Sequence, residues 1–148
     1  MSYSNEISKK LNELLEKNYD AEKGYKLAAE KVKNERLKAF FTERAQERYD
    51  FGHELKNEIR NFGENPDKGT SLAGDVHRSW INLKAPLTND KDEPVLEEAI
   101  RGEKAAIEEY EDILKDSEIP ASTGNILLKQ KNAIVASLNE VKTLEKQA

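Results

Sequence analysis

The residues of this chain best suited to chemistry are carboxylates set inside apolar stripes. In LEEAIRGEKAAIEEYEDIL, from Leu96 to Leu114, Leu96, Ile100, Ala106 or Ile107, Tyr110 and Leu114 recur at three- and four-residue steps and mark one helix face. Glu103 falls in the middle of that face. A carboxylate there must be paired, protonated or bound to a cation, because an isolated buried charge is too costly. Glu47 holds a comparable place upstream, seven residues after Phe40 and four before Phe51. Two carboxylates facing inward from different helices begin a site for a hard or borderline cation such as iron, zinc or manganese. With Asp50 they make a candidate metal set of Glu47, Asp50 and Glu103. Glu22, His53, Gln130, Tyr25 and Tyr110 are the side chains available to support it.

The competing reading is a structural polar layer, and it ranks first. Asn18, Glu47, Glu103 and Gln130 are each the polar member of an apolar seam, and each lies near the midpoint of its helical segment. In an antiparallel bundle of similar helices, midpoints share a level. Asn18 and Gln130 can donate to the two carboxylates, and the hydroxyls of Tyr25 and Tyr110 can join them. Bundles use such buried polar groups to fix register, at some cost in stability.

Four long segments must position these residues. The first, about Ser4 to Lys33, carries Ile7, Leu11, Leu14, Ala21, Tyr25, Ala28 and Val32 on one seam, with Ser4 as N-cap. The second runs from about Glu35 to Phe62, with Asn34 as a tight turn before it and Gly63 where a C′ glycine is expected. GENPDKGT, residues 63–70, is a loop. Ser71 to Leu87 reads as a shorter crossover helix anchored by Trp80, with His77 and Arg78 beside it. The third segment is Asp92 to Lys115, capped by Asp90 or Asp92, and the fourth is Ser122 to Glu145. No stretch alternates as a strand does. The expected architecture is an all-α four-helix bundle of 148 residues, one domain, with a long connection between the second and third helices. A crossover helix of about 25 Å would return along the bundle, so those two helices would run parallel; its bundle-like length favours this over the rival, a simple up-down bundle with a decorated loop.

Composition narrows the function classes. The chain is 36% hydrophobic and 36% charged, with a net charge of −5, which suits solvated helices rather than disorder. The acidic balance disfavours nucleic acid as a partner and disfavours an anionic lipid surface. No cysteine is present, which removes disulfides and thiolate metal sites and fits a reducing cytoplasm. No apolar run reaches the roughly 20 residues of a membrane span, and the N-terminus lacks a signal-peptide core. With two histidines and no glycine-rich phosphate loop or nucleophile elbow, ordinary hydrolase and nucleotide chemistry have little support. A homodimer through the outer face of a helix pair is compatible with the pattern.

At Gly102-Glu103 followed by Tyr110, the chain resembles the third core helix of ferritin-like and rubrerythrin-like proteins. Those bundles hold a di-iron centre built from a Glu on each of two helices and a Glu-x-x-His on the other two. The chain also resembles, over nearly its whole length, a narrower bacterial group of four-helix bundles described only as a domain of unknown function. The matching stretches are Asp20-Ala-Glu-Lys-Gly-Tyr25, Ala45-Gln-Glu-Arg48 with Glu54-Leu55, Gly69-Thr-Ser-Leu-Ala-Gly74 with His77-Arg78-Ser79-Trp80, and Arg101-Gly-Glu103 with Tyr110. The resemblance implies the ferritin-like bundle and no particular activity. Against the di-iron pattern, Asn18 stands where the first helix should carry Glu, with Glu22 the nearest substitute. Glu47 is followed by Asp50 rather than His, and His53 is a further turn along. Gln130 is followed by Ala133. The expectation is a non-enzymatic ferritin-like bundle with a degenerate core site and no cofactor. The second reading is a protein that binds iron or another divalent metal, and an iron-dependent oxidoreductase ranks last.

Overall fold

Asn34 ends the first turn of the chain by capping the next helix: its side-chain Oδ1 accepts from the backbone N–H of Arg36 at 2.8 Å and of Leu37 at 3.2 Å. The computed structural model describes residues 3–66 and 92–147. They form α1 (Tyr3–Lys31), α2 (Glu35–Asn61), α3 (Glu93–Leu114) and α4 (Ala121–Gln147). Each lies within three residues of its expected bounds at both ends. There is no strand among the described residues. None of the described helices is long and apolar enough to cross a membrane. The helix expected over Ser71–Leu87, with His77, Arg78 and Trp80, lies outside the described residues.

The helix ends establish the topology. Lys10 near the start of α1 pairs with Asp116 just beyond α3, at 2.6 Å, so α1 and α3 are antiparallel. The Thr123 hydroxyl at the start of α4 donates to Glu58 near the end of α2, so α2 and α4 are antiparallel. Of the two caps expected for α3, Asp90 lies outside the described residues and the Asp92 side chain makes no cap bond to that helix. Its carboxylate instead accepts from the backbone N–H groups of Lys33 (2.9 Å) and Asn34 (3.1 Å). The orphan donors of the α1–α2 turn are closer claimants than those of α3, whose first turn already holds Pro94 without an N–H. This contact places the start of α3 beside the start of α2. The two helices therefore run parallel, as the crossover reading requires.

Helix α2 stops as its sequence dictates. Gly63 has φ +78°, its N–H reaches Arg60 O at 2.8 Å, and Glu64 N–H reaches Ile59 O at 3.2 Å. That pair of bonds is a Schellman closure. Nothing lies within 4 Å of where a Cβ would stand on Gly63, so only the backbone conformation requires glycine. Gly63→Ala should therefore cost about 1–2 kcal/mol, the left-handed penalty alone, readable in a urea melt. A loss of less than a few tenths would show that the turn is not held in this form.

The apolar core falls into two halves. One gathers Tyr25, Phe41, Leu96 and Val141, and the other gathers Leu11, Leu55, Leu127 and Ile134. Between them lies a polar layer.

Candidate functional site

Heptad spacing carries Phe41, position 48 and Leu55 down one line of α2, and all three are buried. The middle residue is an arginine. Arg48 is 3% exposed and projects into the centre of the bundle between α1 and α3. Its Nη2 donates to Glu103 Oε1 at 2.5 Å, and its Nη1 donates to Asn18 Oδ1 at 2.9 Å. The Asn18 amide donates onward to Tyr110 Oη at 3.0 Å and to the Leu14 carbonyl at 2.9 Å. Tyr110 Oη donates to Gln130 Oε1 at 2.6 Å. Gln130 Nε2 then donates to Glu54 Oε1 at 3.0 Å and to the Phe51 carbonyl at 3.3 Å. Lys129 Nζ closes the chain on Glu54 Oε2 at 3.0 Å.

The network thus links all four helices, with one cation at its centre. From Arg48 the donations run directly to Glu103 and through Asn18, Tyr110 and Gln130 to Glu54, which also accepts from Lys129 at the far end. Burial works against the Arg48 charge, but the Glu103 carboxylate and the phenol oxygens of Tyr25 and Tyr110 outweigh it and hold the guanidinium above its ordinary range. Burial likewise pushes the Tyr110 hydroxyl up to about 12, against the lowering influence of Arg48 and Asn18. Tyr25, in the half-core with Phe41 and Leu96, is raised well above the usual phenol range by burial and by the Glu103 charge. Such a network is stabilising only when its members are satisfied. Here one atom is an exception, since Glu103 Oε2 is buried and makes no hydrogen bond within the protein.

The layer expected from midpoints therefore has three of its four corners in place: Asn18, Glu103 and Gln130 are buried and share one network, with Tyr110 joining them. The fourth corner needs correction. Glu47 is half-buried and sits beside Arg44, 3.8 Å away. Burial raises its carboxyl pKa, and it is near enough to feel Arg48 and Glu103 without touching either. A one-residue rotation puts Arg48 in the position assigned to Glu47. The reason is electrostatic as much as geometric: a buried Glu103 beside a second carboxylate would repel it, whereas a guanidinium neutralises it.

The rest of the candidate metal set is dispersed. Asp50 is exposed and accepts from Gln46 Nε2 at 3.0 Å. His53 is exposed with its ring edge-on to Tyr49, centroids 4.5 Å apart. Glu22 pairs with Lys26 at 2.8 Å on the outer side of α1. At the centre, the donors facing one another are one carboxylate, two amides, a phenol and a permanent cation. That set does not fit a di-iron centre or a single divalent ion, since it offers one carboxylate whose charge the guanidinium already neutralises, and the guanidinium repels a metal. Among the described residues, Glu93, Glu97 and Glu145 bring carboxylate oxygens within 4.8 Å of one another at the far end of the bundle, at the surface. Exposed acidic groups commonly lie this close with no ion between them.

Four helices in two antiparallel hairpins, with α2 parallel to α3 and a polar layer at mid-height, define a ferritin-like four-helix bundle. A family model described as "Domain of unknown function (DUF2383)" matches residues 6–116, and the chain belongs to that family. Among solved structures, a Dps1 mutant from Mycobacterium smegmatis is similar, with a TM-score of 0.78 and 11% identity over 98% of this chain and 99% of that one. A protein described as a dodecameric thioferritin, the bacterioferritin-related protein of Bacteroides fragilis, is similar with a TM-score of 0.75 and 17% identity over 95% of this chain and 84% of that one. At such identities the likeness is one of fold. No curated protein matches the chain.

Proposed function

We propose that this protein is a non-catalytic member of the ferritin-like fold, a structural or interaction module whose core is closed by an ion pair rather than by a metal. The observation that carries the reading is Arg48, 3% exposed, hydrogen-bonded at once to Glu103 of α3 and Asn18 of α1 at the level where such bundles hold metal. A permanently charged side chain supplies the positive charge a buried carboxylate needs, without metal supply or redox chemistry.

The alternative is a metal-binding protein using Glu47, Asp50 and Glu103. For that, α2 would have to turn so that Arg48 left the core and Glu47 entered it. Elemental analysis of protein purified from cells supplied with iron, zinc or manganese separates the two. The ion-pair reading expects well below one metal per chain and the same trace content in Glu103→Ala. Stoichiometric metal that Glu103→Ala loses would establish the alternative.

The acidic balance favours a partner other than nucleic acid, and a cytoplasmic setting suits a cysteine-free chain. Self-association is also part of the reading. Support comes from the outer side of the α1–α2 hairpin, where Tyr49, 46% exposed, borders a groove floored by Ala29, Thr42 and Ala45 and flanked by the charged side chains of Glu22, Lys26 and Glu30. Light scattering on the full chain should show a homodimer or larger assembly that Tyr49→Lys weakens. A monomer at all concentrations would remove this element.

A further inference from the structure

The α1–α3 seam is built from small residues: Ala21 on one side, and Gly102, Ala105 and Ala106 on the other. Side chains this short do not fill the space between two helices. They leave a cavity of about 20 Å³ beside the ion pair, lined also by Asn18, Glu103 and Tyr110. Its outer rim is formed by Lys17 and Glu109, an ion pair across the seam whose side chains are partly exposed. A cavity of this size holds about one water molecule if polar partners are present.

The partners are present. Glu103 is 2% exposed; the Arg48 guanidinium and the Tyr25 hydroxyl both act on its carboxylate, yet Oε2 itself makes no hydrogen bond to the protein, and a buried carboxylate oxygen demands a donor. Tyr110 Oη accepts one bond from Asn18 and keeps a second lone pair. A cation would have to enter beside the Arg48 guanidinium, which already neutralises Glu103. A neutral donor of one heavy atom meets no such repulsion.

We propose that this seam is a specific site for one long-lived water molecule, which donates to Glu103 Oε2 and exchanges with solvent past the Lys17–Glu109 pair. The proposal rests on the ion-pair reading in one respect, that Arg48 excludes a cation. The water completes the solvation of the buried carboxylate and connects the core network to the surface through a gate of two opposite charges.

A high-resolution crystal structure of the full chain, with ¹⁷O relaxation dispersion in solution, tests it. The expected result is water density within hydrogen-bond distance of Glu103 Oε2, and a long-lived water signal. Ala106→Leu, which fills the cavity, should lose that signal, and Lys17→Met should shorten the residence time. If Ala106→Leu does not fold, Ala105→Leu, half-buried at the same seam, makes the same comparison. A wild-type structure in which Tyr25 Oη donates to Oε2 and no water lies in the seam would overturn the proposal. So would a dispersion signal unchanged by the filling variant. An anomalous-scattering peak at the site would overturn both the water and the ion-pair reading, whereas missing density without such a peak overturns the water alone.

Discussion

Arg48→Met should lower the unfolding free energy by about 3–5 kcal/mol, because it leaves Glu103 charged and unpaired in the core. For a chain of this size, that is a fall in melting temperature of roughly 6–20 °C. Methionine keeps most of the side-chain volume, so little of the loss comes from packing. Asn18 Oδ1 also loses its donor, which adds to the cost in the same direction. Glu103→Leu should be damaging as well, since it strands the guanidinium. The informative variant is the double one. Arg48→Met combined with Glu103→Leu removes both charges together and should recover most of the loss, ending near the wild type or above it. Denaturant melts of the four proteins give the coupling energy directly. A coupling below about 1 kcal/mol, the range of exposed pairs, would mean that the two charges do not face each other in a dry core.

Alkaline unfolding is the second large effect. Tyr110 titrates at about 12 in the folded protein, and burial holds Tyr25 well above the ordinary range too. In the unfolded chain both titrate near 10. The folded state therefore keeps protons that the unfolded state releases, so stability is intact below about pH 10 and falls as pH rises toward 12. For Tyr110 alone, about two units at 1.36 kcal/mol each give roughly 2–3 kcal/mol lost over that window. Other groups also titrate there, so the measurement is a comparison: the slope of stability against pH between 10 and 12 should be shallower in Tyr110→Phe than in the wild type. At neutral pH the same variant should cost about 1–3 kcal/mol, because Gln130 Oε1 loses its donor inside the core. Equal slopes in the two proteins would place Tyr110 outside the buried network.

Much of this molecule is legible in its sequence, for identifiable reasons. The seams of α1 and α3 are long and regular, so Asn18, Tyr25, Glu103 and Tyr110 could be assigned inward by period alone. Gly63 and Asn34 announce the ends of α2 through backbone chemistry that few other residues satisfy. On α2 two adjacent lines of residues both look apolar. Phe40, Glu47 and Phe51 compete with Phe41, Arg48 and Leu55, and all three phenylalanines are in fact buried. Period could not choose between them. The demand of Glu103 for a counter-charge could have done so, since Arg48 is the basic residue on the better-buried line. Asp92 is a different kind of case. A carboxylate just before a helix reads as its cap, and only the fold reveals two unsatisfied N–H groups of another turn within reach.

Thermal unfolding of the full chain with increasing iron(II), zinc or manganese, with and without a chelator, tests the central claim most directly. A ligand that binds only the folded state raises stability by about 2.7 kcal/mol at a hundredfold excess over its dissociation constant, or roughly 5–11 °C here. With Arg48 in the metal's place, the wild type should show no saturable rise, and any small shift from the surface cluster of Glu93, Glu97 and Glu145 should persist in Glu103→Gln. A saturable, chelator-reversible rise in melting temperature that Glu103→Gln abolishes would contradict the account.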